Sequence, residues 1–504
     1  MGCCKLVAGT GKRKGNFMRR VLLAIAGAIL IVIAIVLVRT FMVAAPPAMT
    51  ASEPPISVNS MDVAQHLAQA VRFKTISFGN HVHEADKNAQ LDALRDWMEK
   101  TYPAFHKAAT REVIGKSLLF TWKGKNPNAA PILLMAHMDV VPVVPGTEHD
   151  WSHDAFSGDI SDGFVWGRGS IDDKGCLISI LEAAERLAEQ GFTPDRTVMF
   201  AFGQDEEVGG NEGNGVMAKM LAARHVHFAW VLDEGGAILD EPFPGVQQPV
   251  AFMAVGEKGY LSLVLTAHGT GGHSSRPTHD LAIVRLAQAI EKVVDHPFAS
   301  GLDDVQREQF AVLAPYMPFF QRMLMANLWL TAPLMTHFEE QQPQAAALLH
   351  TTIAPTMIAG GVKDNVIPPT ASATINFRLH QRDTIESVIS HVREAIDDPR
   401  VDVHAQNETQ NNASKISDLH DANGQFIVKA IGDSFNGIPV APTITTGATD
   451  SAHYISIADD VFRLDPFHMG PDDLSRVHGT NERLAIGDLG PAVGFYMRLM
   501  QNLK

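Results

Sequence analysis

The chain has little cysteine, and this scarcity excludes a fold held together by disulfide bonds. Only three of its 504 residues are cysteine. Cys3 and Cys4 stand at the extreme N-terminus, so Cys176 is alone in the rest of the sequence and cannot form an intramolecular bridge there. Small disulfide-stapled domains are therefore excluded. The length instead suggests roughly two to four domains with ordinary hydrophobic cores.

The chain also lacks an excess of basic charge. It contains 41 Lys and Arg residues against 56 Asp and Glu residues, a formal net charge of −15. Because contact with a phosphate backbone needs a basic surface, this balance argues against a nucleic-acid partner. With 46% hydrophobic and 19% charged residues, the chain is neither disordered nor fibrous.

One hydrophobic run stands apart from the rest of the sequence. Residues 21–38, VLLAIAGAILIVIAIVLV, carry no charge, and as a helix they would extend about 27 Å, close to a bilayer core. Basic residues cluster before the run and only Arg39 follows it closely, which predicts a cytoplasmic N-terminus and a body on the other side of the membrane. A cleaved signal peptide is the alternative, although its apolar stretch is usually only about 7–15 residues long.

Charge differs sharply between this segment and the body. The first 40 residues contain seven basic and no acidic residues, which leaves 34 basic against 56 acidic residues in the remainder. An acidic body disfavours close contact with anionic lipid. We therefore expect the hydrophobic run to act as a tether, followed by a Pro-containing linker over residues 39–58.

The body alternates strand-like and helix-like segments. Apolar runs of strand length occur at residues 131–135, 198–202 and 228–232, and a helical pattern covers residues 176–189. This order predicts an α/β sheet covered by helices on both faces. A later change to alternating strands, with a Met- and Phe-rich helical stretch over about 297–355, predicts an inserted α+β unit.

Polar side chains follow these strands at their carboxyl ends, where ligands gather in α/β sheets. The first strand ends at His137, and Asp139 lies two residues on, on the same side of an extended chain. A histidine beside a carboxylate suits a metal ligand with its orienting partner. It equally suits a buried histidine satisfied by a hydrogen bond, so this pair alone leaves both interpretations open.

Three consecutive carboxylates follow the next strand. Asp205, Glu206 and Glu207 precede a pair of glycines, and their repulsion in a desolvated site would call for a cation. A solvated loop is the alternative. Because adjacent side chains on an extended backbone point in opposite directions, Glu206 and Glu207 can serve different tasks, one at a metal and one at a water.

Three further segments add acids or histidine at the ends of elements. They contain Asp172 before a helix, Asp233 after a strand and His478 near the C-terminus. Asp172 alone would suit a helix cap, and the extra acid Glu234 is interpreted as a loop residue. Taken with the preceding motifs, these side chains offer nitrogen and oxygen ligands without thiolate, which fits zinc, with cobalt or manganese as substitutes. Five ligands suit two ions about 3.5–4 Å apart if one carboxylate bridges them.

These segments resemble, in their order, the motifs of the M20 family of metallopeptidases: HMD, DDKG, DEE, DEGG and HGTNE. GATDSAHY at residues 447–454 and the long insert resemble its carboxypeptidase S and PM20D1-like branch. The resemblance covers about residues 60–504. It implies an α/β, mixed-sheet zinc-exopeptidase catalytic domain with an inserted α+β lid domain, preceded by one N-terminal transmembrane helix.

The resulting domain prediction has six segments. They are a basic cytoplasmic tail (1–20), a transmembrane anchor (21–38), a linker (39–58), a first catalytic part (59–256), the lid domain (257–380) and a second catalytic part (381–504).

The resemblance assigns two zinc ions to five ligands: His137, Asp172 as the bridge, Glu207, Asp233 and His478. It makes Glu206 the general base that takes a proton from the bridging water, and Asp139 the residue that orients His137. This chemistry is physically consistent, because zinc lowers the pKa of a bound water to about 7 and a nearby carboxylate completes the deprotonation.

The resemblance also assigns lid residues to the substrate. His273, in GGHSSRP, would stabilise the oxyanion, and in several relatives this histidine comes from the partner subunit of a dimer. The Met- and Phe-rich stretch departs from the shorter lids of the family, so a homodimer through the lid domain stays open. Asn365 and Arg378 match positions that contact substrate, where a guanidinium suits an α-carboxylate, and Gly447 would shape the same pocket. A surface strand residue is the alternative for Arg378.

The implied activity is hydrolysis of the amide bond next to a C-terminal amino acid by a metal-bound hydroxide. A carboxypeptidase acting on Gly-Xaa dipeptides is the first expectation, and an N-acyl (fatty acyl) amino acid hydrolase or synthase is the alternative. A non-catalytic, membrane-tethered binding module is the rival of another class. The complete ligand set and Glu206 count against it.

Overall fold

A computed structural model describes residues 10–43, 51–79, 82–243, 245–246, 248–406, 410–470 and 472–503. Residues 1–9 of the predicted tail and residues 44–50 of the predicted linker lie outside the described residues.

The helices are α1 (Thr10–Met42), α2 (Ser60–Val71), α3 (Glu84–Thr101), α4 (Pro103–Ala108), α5 (Lys174–Glu189), α6 (Asn214–Ala223), α7 (Ala282–Val294), α8 (Asp304–Leu313), α9 (Phe319–Ala326), α10 (Leu328–Glu339), α11 (Pro343–Leu349), α12 (Ile385–Ile396), α13 (Ala422–Ser434) and α14 (Ile486–Gln501). The strands are β1 (Thr110–Ile114), β2 (Ser117–Trp122), β3 (Ile132–His137), β4 (Asp159–Ser161), β5 (Phe164–Trp166), β6 (Val198–Gly203), β7 (Phe228–Leu239), β8 (Val250–Glu257), β9 (Gly259–His268), β10 (Gly272–His273), β11 (Thr352–Gly360), β12 (Val366–Ile367), β13 (Thr370–Leu379), β14 (Val401–Ala405), β15 (Val440–Thr445), β16 (Ala458–Met469) and β17 (Arg483–Ala485).

Continuous apolar sequence builds the large sheet of the catalytic domain. β3 and β6 are buried at every residue, because helices cover both faces of the sheet. Ile132 and Leu134 of β3 pack into the core shared with α2, α5 and α14. Leu133 and Met135 point to the opposite face and pack with α6. Because successive side chains of a strand point to opposite faces of the sheet, β3 contributes side chains to two separate cores.

The strand order brings the ends of several parallel strands to one edge of this sheet. The order is β1-β2-β6-β3-β7-β16-β8-β15. β6, β3, β7 and β16 run parallel to their neighbours in this central group, whereas β1 and β2 form an antiparallel pair and β8 runs antiparallel to β7. The mixed α/β sheet predicted from the sequence is confirmed, and the polar segments that follow β3 and β6 meet at its edge.

The inserted unit contains a four-stranded antiparallel sheet, β11-β13-β9-β14. β9 and β13 alternate between buried and half-exposed residues, because α7 and α12 cover one face only. Val388 and Val392 of α12 pack into this core, and β14 pairs with β9. β14, which follows the predicted lid boundary at residue 380, thus completes the lid sheet.

The Met- and Phe-rich stretch is helical, as predicted, but it packs away from the lid sheet. Phe310 of α8, Met325 of α9 and Met335 of α10 form a core with Phe252 of β8 and Ala441 of β15. The predicted lid domain thus has two parts. One part lies on its own sheet, and the other lies on the β8–β15 edge of the catalytic sheet.

The N-terminal helix α1 contains the stretch Phe17–Met42, which is long and apolar enough to cross a membrane. It is the one such helix in the described part of the chain. Its most apolar window is not buried within the protein. By length and composition this helix fits either a membrane span or a signal sequence.

Candidate metal centre

Strand register carries the acidic and histidine motifs to the same edge of the catalytic sheet. His137, the last residue of β3, pairs with Gly203 at the end of β6. The turn after β6 carries Glu206 and Glu207. On the other side of β3, the parallel strand β7 brings its own acidic pair past the same edge.

His137 and two carboxylates form a first group of ligand atoms. Its Nε2 atom lies 2.8 Å from Oδ1 of Asp172 and 3.4 Å from Oε1 of Glu234. Its Nδ1 atom donates to the backbone carbonyl of Asp139 at 2.9 Å. This hydrogen bond fixes the tautomer of the ring and leaves Nε2 as the nitrogen that faces the carboxylates.

His478 and two carboxylates form a second group. Its Nε2 atom lies 2.9 Å from Oδ2 of Asp172 and 3.2 Å from Oε2 of Glu207. Within each group the candidate ligand atoms lie within 4.8 Å of one another. Asp172 belongs to both groups and offers one oxygen to each, as a carboxylate does when it bridges two cations.

Burial perturbs the ionisation of these groups. It raises the pKa values of Glu206 and Glu207 above their usual range. Burial would also raise the pKa of Asp172, but hydrogen bonds from His137 and His478 outweigh it and lower the pKa. Hydrogen bonds to Asp172 and Glu207 in turn raise the pKa of His478 to about 10. Protonated histidines are therefore the counter-charges of the carboxylates, and a divalent cation would replace their protons.

Asp139 lies fully buried beneath the cluster. Its carboxylate accepts hydrogen bonds from Oγ of Ser77 at 2.6 Å and from the backbone N–H groups of Glu206 and Glu207 at 3.1 and 3.3 Å. The residue therefore holds the turn that carries both glutamates, in addition to its backbone contact with His137.

Asp233, the predicted ligand, and its neighbour Glu234 make different contacts. Oδ2 of Asp233 accepts the backbone N–H of Ser451 at 2.8 Å, and among the described residues Asp233 belongs to neither ligand group. Glu234 lies beside His137 instead. Adjacent side chains on a strand point to opposite faces, so β7 can turn only one of these acids toward the cluster.

A buried ion pair that the sequence interpretation missed supports the bridging residue. Arg168 donates to Oε2 of Glu482 at 2.6 Å, and both side chains are within 2% of complete burial. Oε1 of Glu482 accepts the backbone N–H of Asp172 at 3.2 Å. Arg168 also donates to the carbonyls of His478 and Gly479 at 3.0 and 2.9 Å. The pair joins the two loops that carry Asp172 and His478, and the only sequence signal for it was the charge within GRGS and HGTNE.

His273 and Asn365 lie together, and among the described residues His273 belongs to neither ligand group. His273 pairs with Val366 in the short β10–β12 sheet, and the backbone N–H of Ser274 donates to the carbonyl of Asn365 at 3.2 Å. Both His273 and Asn365 are exposed. The hydrogen bonds of the His273 ring within the described structure run to the neighbouring Ser275.

Arg378 lies on a strand of the inserted sheet, and Gly447 lies in a loop of the large sheet. Arg378 is on β13, opposite the buried Phe377 in the strand alternation, and its guanidinium lies 4.6 Å from the ring centroid of Tyr260. Burial lowers its pKa. Gly447 is exposed in the loop that follows β15. That loop is fixed by Thr449, whose Oγ1 donates to the carboxylate of Glu257 at 3.1 Å.

The mixed sheet, the inserted lid and the carboxylate–histidine cluster define a metal-dependent hydrolase of the α/β class. A model of peptidase family M20/M25/M40 matches residues 133–502, and the chain belongs to this family. The suspected family and branch are thereby confirmed, and the chain is an enzyme of the hydrolase class.

Two relatives illustrate the branch. The chain is 37% identical to "Probable carboxypeptidase S-like 2" of Dictyostelium discoideum, over 89% of this chain and 86% of the relative. It is 35% identical to "N-fatty-acyl-amino acid synthase/hydrolase PM20D1" of Xenopus tropicalis, over 87% of this chain and 85% of the relative. Among solved structures, human carnosine dipeptidase 1 has a similar fold, with a TM-score of 0.62 and 13% identity over 89% of this chain and 99% of that one.

Proposed function

We propose that the chain is a two-zinc amidohydrolase that cleaves the amide bond next to a C-terminal amino acid. The observation that carries this proposal is the position of Asp172 between two groups of ligand atoms. His137 and Glu234 would hold one ion, and Glu207 and His478 the other. Nitrogen and oxygen donors without thiolate suit zinc, with cobalt or manganese as substitutes. Bound zinc would polarise the amide carbonyl and lower the pKa of a bound water.

Asp233 and Glu234 compete for one ligand position, and zinc affinity distinguishes them. The contact of Glu234 with His137 supports Glu234 as the ligand. Asp233→Asn would then act through the loop at Ser451 and weaken zinc binding about 10–100-fold, as changes beside a ligand do. Glu234→Gln would weaken it more. Competition with a chromophoric chelator measures both affinities, and the opposite order would restore Asp233 as the ligand.

Glu206 is proposed as the general base. Its backbone N–H donates to Asp139 at 3.1 Å, and burial raises its pKa above the usual range of a carboxyl group. A positioned carboxylate of this kind is suited to general acid–base catalysis. Glu206 would accept a proton from the attacking water and then deliver it to the nitrogen of the leaving amine.

Two substrate classes are candidates. Gly-Xaa dipeptides, the substrates of a carboxypeptidase, are the first, and the carboxypeptidase S-like relative supports them. N-fatty-acyl amino acids are the second, and the PM20D1 relative supports these. Both classes end in an amino-acid α-carboxylate. Arg378 would bind it as a planar fork, with Gly447 shaping the same pocket. Asn365 precedes the opposite end of β13, so Asn365 of the same chain would not reach that carboxylate, and only the Asn365 of a second copy could contact substrate there.

Initial rates test this proposal. The full chain in detergent, loaded with zinc, would be compared on Gly-Leu and on oleoyl-Phe, with and without a chelator. Turnover of either substrate that disappears with the chelator and returns with zinc supports the amidohydrolase. The ratio of the two rates chooses the substrate class. A zinc-loaded chain that turns over neither would favour the non-catalytic binding module.

α1 is proposed as an uncleaved membrane anchor with its basic N-terminal side in the cytoplasm. The run of uncharged residues over 21–38 and the basic residues that precede it support this orientation. The catalytic domain would then lie outside the cytoplasm. A mature protein that begins after residue 43 would identify the helix as a signal sequence, and N-terminal sequencing of the purified protein distinguishes the two.

A homodimer through the lid is also proposed. β11 is an edge strand of the lid sheet, and Met357 and Ile358 on it are 68% and 70% exposed. An exposed apolar edge strand is a natural site for pairing with another chain. In such a dimer the exposed His273 of the second copy would approach the metal centre of the first, where it would stabilise the oxyanion. Light scattering of the zinc-loaded protein at several concentrations tests the dimer.

A further inference from the structure

The end of α1 packs against the Met- and Phe-rich helices. Asn327, which caps α10, donates from Nδ2 to the carbonyl of Val36 at 3.3 Å and to Oγ1 of Thr40 at 3.2 Å. The ring centroids of Phe41 and Phe319 lie 5.7 Å apart. Asn327 and Thr40 are buried. The last turns of α1 and the starts of α9 and α10 therefore form one packed unit.

This contact fixes the depth of α9 and α10 relative to any bilayer that α1 crosses. The uncharged run of α1 ends at Val38. A bilayer core about 30 Å thick takes about 20 residues of helix at about 1.5 Å per residue. Thr40 and Phe41 then lie at the boundary between hydrocarbon and headgroups, and the residues in contact with them lie at the same level.

α9 and α10 also present an exposed apolar surface, which begins at Phe319, beside Phe41. We call it the apolar patch, and it consists of Phe319, Phe320, Trp329, Leu330, Leu334 and Phe338. Phe320 is 72% exposed, and Trp329 and Phe338 are 51% and 52% exposed. Met325 and Met335 of the same two helices are buried in the protein core. Helices that are apolar on both sides need an apolar environment on each.

The charge of this stretch sets it apart from the acidic body. No Asp or Glu occurs between Glu308 and Glu339, and Arg322 supplies a positive charge there. The repulsion from anionic lipid that the composition predicts for the body therefore does not apply to this surface. Phenylalanine and tryptophan at such a level are also the side chains that favour the membrane–water interface.

We propose that the apolar patch inserts into the interfacial layer of the bilayer beside α1, with lipid as its partner. This inference rests on the proposed role of α1 as a membrane span. The body is then docked on the membrane and not merely tethered to it. α8 of the same helical group packs on β15, and Thr445 at the end of β15 donates to the carbonyl of Gly235 at 2.9 Å. Docking would therefore hold the catalytic sheet close to the surface where amphiphilic substrates concentrate.

Quenching of tryptophan fluorescence by brominated lipid tests this proposal. The full, zinc-loaded chain would be reconstituted into phosphatidylcholine vesicles that contain a minor fraction of phosphatidylglycerol, with and without brominated phosphatidylcholine. We expect part of the tryptophan emission to be quenched. Trp329→Phe should lose this quenched part. The matched control Trp97→Phe, on α3, should retain it.

Three outcomes would overturn the proposal, and they are distinguishable. In the first, the chain floats with the vesicles in a density gradient, but Trp329→Phe leaves the quenching unchanged. Insertion of the apolar patch is then wrong, and α1 is still a membrane anchor. If the chain does not float with the vesicles, the anchor is wrong and the docking with it. In the third, cross-linking joins the segments around Trp329 of two copies, and brominated lipid does not quench the tryptophan emission. The apolar patch is then an interface between copies. Gly-Leu hydrolysis by the same samples reports separately on the amidohydrolase.

Discussion

The catalytic sheet and the lid sheet differ in how firmly each holds its candidate functional residues. The catalytic sheet is covered on both faces, and the cluster at its edge is held by buried partners such as Asp139 and Glu482. The lid sheet has one half-exposed face, and its candidate substrate residues His273 and Asn365 are exposed. The charged centre is therefore held in place by buried partners, whereas the exposed lid residues have no such support from buried side chains among the described residues.

The largest effect is expected in the catalytic half, from Glu206→Gln. If Glu206 is the base, kcat falls by roughly 10²–10⁴, while zinc content and KM change little. Steady-state rates and metal analysis on the same samples check this. The neighbouring exposed Glu212→Gln is the matched control and should retain full turnover. Equal rates for the two variants would remove Glu206 as the base.

A second change probes the preorganisation itself. Glu482→Gln leaves the guanidinium of Arg168 buried without its carboxylate, which costs about 3 kcal/mol in the free energy of unfolding. Urea denaturation measures the loss. The double variant Arg168→Met with Glu482→Gln should recover part of it, because no unpaired charge then remains buried. A loss as large in the double variant as in the single one would contradict this account.

A change in the lid should affect substrate binding and not the centre. Arg378→Lys keeps the charge but removes the planar fork, so KM rises on the order of tenfold with kcat unchanged. Zinc affinity should not move. The control is Arg400→Lys, because Arg400 is an exposed arginine of the same domain that pairs with Asp398. A fall in kcat without a change in KM would mean that Arg378 contributes to the chemical step instead.

The smallest effect is on the pH dependence of the zinc-free protein. The pKa of His478 is raised to about 10 by Asp172 and Glu207, above its ordinary value of about 6.5. Its stabilising contribution is complete below about pH 6.5 and is lost as pH rises toward about 10. The raised pKa of Glu207 acts in the same direction. The effect is small because the His478 side chain is 55% exposed.

Melting temperatures check this last prediction. Between pH 6.5 and pH 9 the zinc-free protein should lose melting temperature relative to its zinc-free His478→Gln variant. The variant is the reference because the lowered pKa values of the buried Lys174 and Lys258 act in the opposite direction over this interval. Zinc-loaded protein should lack this loss, because the cation replaces the proton on His478. A melting temperature that rises over the same interval relative to the variant would have the wrong sign for a stabilising His478.

The sequence predicted the catalytic half better than the lid. Continuous apolar strands and the acids that follow them depend on local pattern, so β3, β6 and the positions of His137 and Glu207 were predictable. The choice between Asp233 and Glu234 was not, because it depends on which face of β7 meets Ser451. Arg168 and Glu482 were missed because their pairing joins segments about 300 residues apart, and no local pattern reports that contact.

The place of α12 was unpredictable for a related reason. The helical pattern of α12 is the same whether the helix covers the lid sheet or the catalytic sheet. Only the packing of Val388 and the pairing of β14 with β9 assign it to the lid. The Met- and Phe-rich stretch was correctly predicted as helical, but its contact with Thr40 of α1 is likewise long-range.

The most direct test of the central claim is the number of zinc ions that each chain binds. Metal-free protein would be titrated with zinc and analysed for bound metal after removal of the excess. Asp172 lies in both ligand groups, so we expect two ions per chain in the wild type and the loss of both in Asp172→Asn. One ion per chain in the wild type, or a second ion that survives in Asp172→Asn, would contradict it.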